Sequence, residues 1–162
     1  SNFKIMNIKI IIIIISLFLL NACDYKPIHS KSKIEENFNF TLEKIIFLDK
    51  SNINKKIKNN LKRYVNVQNK FKKYTLLINT EVDKKISLKN KKGDAEMFTI
   101  DVRVGLAIYE NEDLKNKTNF ARSFEYNNQS NKFNLKQYEK TIQGDLTNKI
   151  TNDIVLYLGS LN

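Results

Sequence analysis

The chain has 162 residues, 41% of them hydrophobic and 28% charged, enough for one globular domain with an appended segment and too few for two large domains. A single Cys, a single His, no Trp and only four Gly exclude a disulfide framework, a Cys/His zinc cluster, most nucleophilic triads and any glycine-rich phosphate loop, so no enzymatic activity, cofactor or metal is expected. The formal charge of +11 rests on 25 Lys against only Arg63, Arg103 and Arg122, whereas base-edge and phosphate readers favour the forked guanidinium; a chain this rich in Lys, Asn and Ile reflects A/T-rich codons as readily as a selected partner, and its charge speaks to association rather than fold.

Lys4 and Lys9 form a short positive region before an uncharged run, Ile10 to Leu20, of 11 residues. That run is shorter than the ~20 apolar residues a spanning helix needs and matches a secretory signal core of about 7–15 residues. Residues 1–22 are therefore read as a signal peptide and the chain as exported. The following Leu20-Asn21-Ala22-Cys23 resembles the bacterial lipobox, with an aliphatic residue three positions before the cysteine and a small one directly before it. That resemblance implies cleavage before Cys23, a diacylglycerol on its thiol and an acyl chain such as palmitate on its freed amine. Cys23 then anchors the protein to a membrane, leaving a mature chain of 140 residues with a net charge of +9.

Residues 23–37 have no hydrophobic period and contain the only proline, Pro27, which biases Lys26 to an extended conformation. They read as a tether, with His29 exposed in it and no second metal ligand nearby. The folded domain is expected over residues 38–162.

Phe40 to Leu48 is rich in β-branched and aromatic residues and predicts a strand, after which Asp49 to Asn52 supply turn and helix N-cap residues. Ile53, Ile57, Leu61, Tyr64 and Val65 recur at spacings of three and four, predicting a helix of about 14 residues with Lys on its other faces. Tyr74, Leu76, Ile78, Thr80 and Val82 alternate as a half-buried strand. Residues 89–94 read as a loop, and Phe98 to Ile108 alternate again as the clearest strand of the chain. Residues 110–117 read as a polar turn, and Phe120, Arg122, Phe124 and Tyr126 as the core side of a fourth strand. After a loop at 127–132, Asn134 with Gln137 suggests a capping box opening a long amphipathic helix through Leu135, Ile142, Leu146, Ile150, Ile154, Leu158 and Leu161. The order β-α-β-β-β-α predicts an α+β fold, a four-stranded, mostly antiparallel sheet with two helices packed on one face.

Asp101 and Glu125 alternate to the solvent side of their strands, where with Arg103 and Arg122 they suggest cross-strand ion pairs rather than an acid/base pair. Binding is the chemistry left. The lipobox followed by Asp24-Tyr25-Lys26-Pro27-Ile28 resembles the opening of the lipopolysaccharide-assembly lipoprotein family, LptE, in its shorter alphaproteobacterial forms. Tyr25, Pro27 and Ile28 match; Asp24 stands in place of the usual Gly and His29 where Tyr is common. The predicted element order and long closing helix agree with that family.

The resemblance implies an outer-membrane lipoprotein that plugs and helps assemble the LptD β-barrel and helps move lipopolysaccharide to the cell surface. Exposed cations would then meet lipid A and core phosphates as point charges. The candidates are Lys89, Lys91 and Lys92 in the hairpin loop, Lys132 before the last helix, and Arg103 and Arg122 on the open sheet face. Asp24 after the lipidated cysteine resembles an inner-membrane retention signal of enteric bacteria, which keeps the inner membrane open as a location. The alternative is an auxiliary lipoprotein of an ABC-type lipid transport system, which predicts an apolar cavity between sheet and helices. Nucleic acid is not an expected partner of an exported, lipidated chain.

Overall fold

The computed structural model describes residues 38–161. In chain order these form β1 (Phe40–Phe47), α1 (Asn54–Leu61) with a 3-10 turn at Lys62–Tyr64, β2 (Lys72–Lys89), β3 (Ala95–Glu110), β4 (Asp113–Asn127) and α2 (Lys132–Ser160). The sheet order is β1-β2-β3-β4. β1 runs parallel to β2 across the α1 crossover, and β2-β3-β4 is an antiparallel meander. This is the α+β sandwich expected from the alternating and helical periods.

Alternation decides which side chains meet the helices. Tyr74, Leu76 and Ile78 of β2 and Ile100, Val102, Val104, Leu106 and Ile108 of β3 are all buried on one face. Over them pack Ile57 and Leu61 of α1 and Ile142, Leu146, Ile150, Ile154 and Leu158 of α2. Leu42, Ile57, Leu61, Ile150 and Ile154 have no exposed surface, so side chains close around these core positions on every side. Burial on this scale, at about 25 cal/mol per Å² of apolar surface, is what holds a 29-residue helix on the sheet.

α2 also runs alongside β4 in the opposite direction, tied to it along its length. Asn116 donates to the Tyr157 hydroxyl (2.7 Å), Arg122 pairs with Asp153 (2.6 Å) and the Tyr126 hydroxyl donates to Glu139 (2.7 Å). α1 and the turn before it are joined to α2 by Asn52 to Gln143 (2.9 Å) and Asn60 to Asn148 (3.0 Å).

Several boundaries differ from those the periodicity predicts. The first helix is 8 residues rather than about 14, because the chain tightens at Lys62–Tyr64 and Val65 turns extended to bridge Leu42. Its N-cap is Ile53 without a side-chain bond. Asp49 instead accepts from the Thr80 backbone N–H (2.6 Å) and hydroxyl (2.7 Å), fastening the end of β1 to β2. α2 starts before the expected capping box, with the Asn131 side chain accepting from the N–H groups of Phe133 and Asn134 (both 3.0 Å).

The expected turn at residues 110–117 is in fact two residues, Asn111 and Glu112, with φ of 51° and 71°; the chain is strand on both sides. Such a pair of left-handed residues suits a tight hairpin but strains a side-chain-bearing residue, and glycine is favoured at the second place. Glu112→Gly is expected to stabilise the domain by about 0.5–1 kcal/mol, read as a raised urea midpoint; an unchanged or lowered midpoint would count against this turn geometry.

Candidate functional site

Four of the six candidate cations gather at one end of the molecule. Lys89 is the last residue of β2 rather than a loop residue, opposite Ala95, and Lys91 and Lys92 stand exposed on the turn that follows. The Asn90 side chain shapes that turn by accepting from Lys92 N–H and Asp94 N–H (both 2.9 Å), and Gly93 takes the left-handed φ of 88°. Asn128 docks the β4–α2 loop against the same end, through its N–H to the Glu96 carbonyl (2.7 Å) and its side chain to the Ala95 carbonyl (2.8 Å). This brings in Lys132, whose ammonium donates to Asn128 (3.2 Å) and the Gln129 carbonyl (3.3 Å).

Large apolar side chains lie exposed beside these lysines, a feature that sequence reasoning missed. Ile86 and Leu88 on β2, Phe124 on β4, and Phe133 and Tyr138 on α2 are each at least 40% exposed, with Phe133 at 70%. Helical spacing from Leu135 to Ile142 marks Tyr138 as a core residue; its ring does meet Tyr126 edge-on, with centroids 5.9 Å apart, but the residue stays 40% exposed. One end of the domain thus joins apolar surface to cations, the pairing an anionic amphiphile needs.

Beneath this end is an ion cluster that was also not expected. Glu139 accepts from Lys84 (2.5 Å) and from Tyr126, and the Lys84 ammonium sits 4.1 Å from the Phe98 ring centre. Burial pushes the Glu139 carboxyl up, but the hydrogen bonds from Lys84 and Tyr126 outweigh it and hold it below the ordinary glutamate range. Continuing the Tyr74–Val82 alternation by one step places Lys84 on the helix side, which is the signal that was there to be read.

Arg103 and Arg122 belong neither to this cluster nor to a common surface. Arg103 lies on the open sheet face, bonded to Glu81 (2.9 Å) and 3.7 Å from Asp101. Arg122, expected on that open face, is opposite Val102 in the register and so on the helix side, where Asp153 holds it. The expected cross-strand pairs therefore form around Asp101 and Arg103 but not between Arg122 and Glu125.

Asp101 is 7% exposed, covered by its own partners rather than open to solvent as alternation implies. It accepts from Lys85 (2.8 Å) and Ser123 (2.5 Å). The Lys85 hydrogen bond, then that from Ser123, keep its carboxyl below the usual Asp range despite burial. A depressed folded-state pKa means stability that is full above the ordinary Asp value of about 3.9 and lost as pH falls through the lower, folded value. Asp101→Asn is expected to cost about 2 kcal/mol at neutral pH and to flatten the loss of stability below about pH 4. Urea titrations of both chains across that range test it; parallel curves would rule out the assignment.

Cys23, the tether and His29 lie outside the described residues. Among the described residues no cluster of three His, Cys, Asp or Glu is placed to hold a metal, and no helix is long and apolar enough to cross a membrane.

The chain matches no family model and no curated protein sequence. Its fold, in contrast, is shared with solved lipoprotein structures. Rare lipoprotein B from Shewanella oneidensis superposes with a TM-score of 0.58 at 9% identity, over 75% of this chain and 93% of that one. A minor lipoprotein from Acinetobacter baumannii gives 0.54 at 15% identity, over 76% and 92%. Lipoprotein B from Nitrosomonas europaea gives 0.52 at 10% identity, over 72% and 80%. At such identities the likeness is one of fold: the described domain has the architecture of these small bacterial lipoproteins.

Proposed function

We propose that the protein is a lipid-anchored lipoprotein of the LptE kind, seated in an LptD-like outer-membrane β-barrel as its plug and assembly partner, and engaged with lipopolysaccharide on its way to the cell surface. The observation that carries this reading is the fold shared with rare lipoprotein B and its like over most of both chains, joined to a lipobox-like Cys23 at the right place before the domain.

The layout of the domain suits the role. The described chain begins at Phe38, beside Gly159 near the C-terminal end of α2, while the cationic end lies at the far tip of the 18-residue β2, about 55 Å away at ~3.3 Å per residue. A tether leaving from Phe38 would hold the domain by one end and present Lys89, Lys91, Lys92 and the exposed apolar side chains at the other. The alternative, an ABC-transport auxiliary, needs an apolar cavity between sheet and helices; the core beneath α2 is closely packed, and the space beside α1 is open and rimmed by Lys44, Lys58 and Lys62 rather than enclosed by apolar side chains.

A mild-detergent pull-down of the tagged full-length protein from its native envelope tests the reading. Recovery of one large outer-membrane barrel in about equal amount supports it; recovery of an ABC ATPase and permease supports the auxiliary instead. The lipopolysaccharide contact is tested apart from the barrel. Charge reversal of Lys89, Lys91 and Lys92 together is expected to weaken lipopolysaccharide binding about tenfold or more, roughly 1.4 kcal/mol, with no change in thermal stability. Equal binding by both chains would remove the tip from the proposal.

A further inference from the structure

β1 is an edge strand whose outer side is only half covered. Val65 bridges Leu42 and the Asn66 N–H donates to the Leu42 carbonyl (3.0 Å), with Thr41 holding this loop through Tyr64 and Val67. Beyond Leu42 no strand among the described residues pairs with residues 43–47 on that side. Every second N–H and C=O of this stretch faces outward, a condition that folded sheets block with a covering loop, proline or charge of their own.

Here the open edge borders a cleft instead. A space of about 590 Å³ lies between the edge and α1, floored by Ile45, Ile46 and Val65 and rimmed by Lys44, Lys58 and Lys62 against the single carboxylate of Glu43. The three lysines are exposed, and among the described residues none of them is ion-paired. The opposite edge strand, β4, differs in that α2 runs beside it and holds its Asn116 and Arg122 side chains.

We propose that this edge takes an extended, acidic segment of a partner protein as a fifth strand. The outward backbone groups of residues 43–47 supply the ladder, about 17 Å long. Alternate apolar side chains of the segment meet Ile45, Ile46 and Val65, and carboxylates between them meet the lysines, which is how strand addition divides affinity from specificity. An anionic lipid answers the charge but leaves the backbone edge unpaired, so the edge favours a peptide. The inference goes beyond the plug reading and stands without it.

The test uses the full-length protein in mild detergent and a capped hexapeptide alternating glutamate with valine, with amide hydrogen exchange as the readout. The expected result is exchange slowed about tenfold or more at residues 43–47, with the variant Lys44→Glu/Lys58→Glu/Lys62→Glu losing that protection for the acidic peptide and gaining it for the lysine–valine counterpart. Three results overturn the proposal: no protection at β1, equal protection by acidic and basic peptides, or protection by phosphatidylglycerol vesicles and not by peptide. All three substituted positions are exposed, and a thermal melt matching the unsubstituted chain shows that the variant is folded.

Discussion

With Cys23 replaced by alanine and an ordinary secretory cleavage site put in place of Leu20-Asn21-Ala22, the protein is expected to leave the membrane pellet of a host without the barrel partner and to enter the soluble fraction with its domain folded. Each acyl methylene buried in a bilayer contributes ~0.8 kcal/mol; one chain holds a protein only marginally, whereas two or three hold it stably. No described helix is long and apolar enough to span a membrane, so in a host without the proposed barrel partner the acyl chains expected on Cys23 are the anchor that the substitution takes away. The new cleavage site matters because an uncut run of Ile10 to Leu20 would itself cling to lipid. Washed envelopes and circular dichroism read the outcome; full retention in the pellet with a native spectrum would falsify the lipobox reading.

Ile154→Ala is the substitution expected to cost the domain most. Ile154 is fully buried in the core over which α2 lies. Removing three methyl or methylene carbons there loses their transfer free energy and leaves a void that rigid neighbours only partly fill, about 3–4 kcal/mol in all. Against a typical total of about 5–15 kcal/mol, that is a large share. Urea unfolding measures it directly. A loss below about 1 kcal/mol would mean that the helix can settle into the gap and that the packing is looser than its burial indicates.

The core was legible because burial imposes a period. Phe98 to Ile108 alternate without a break, and the structure buries that face from Ile100 to Ile108; Leu135, Ile142, Leu146, Ile150 and Ile154 do the same for α2. What the sequence hid is strand that buries little. Lys84 to Lys89 and Asp113 to Lys117 are strand because each has a backbone partner on β3, and a hydrogen-bond ladder leaves no mark on hydropathy. Arg122 was misplaced for a related reason. Its own alternation with Phe120 and Phe124 puts it on the helix side, but its charge argues for solvent; Asp153 resolves the conflict by meeting it there. The candidate site was half legible: the lysine-rich turn is evident in the sequence, whereas the exposure of Phe133 and Tyr138 in the first turns of α2 runs against their apolar character and leaves no mark in the periodicity.

The mixed sheet also sets an order of events. β2, β3 and β4 are joined by short turns, so each hairpin can close from its turn and zip outward one pair at a time. β1 has no such start. Phe40 pairs in parallel with Lys72, so the intervening chain must be closed into a loop before the first bond forms, and that entropy is lost before any contact returns it. The meander with α2 is thus the natural nucleus, and β1 with α1 its last addition. Substitutions at Leu42 or Ile57 should accelerate unfolding with little effect on refolding, whereas those at Val102 or Val104 should slow refolding.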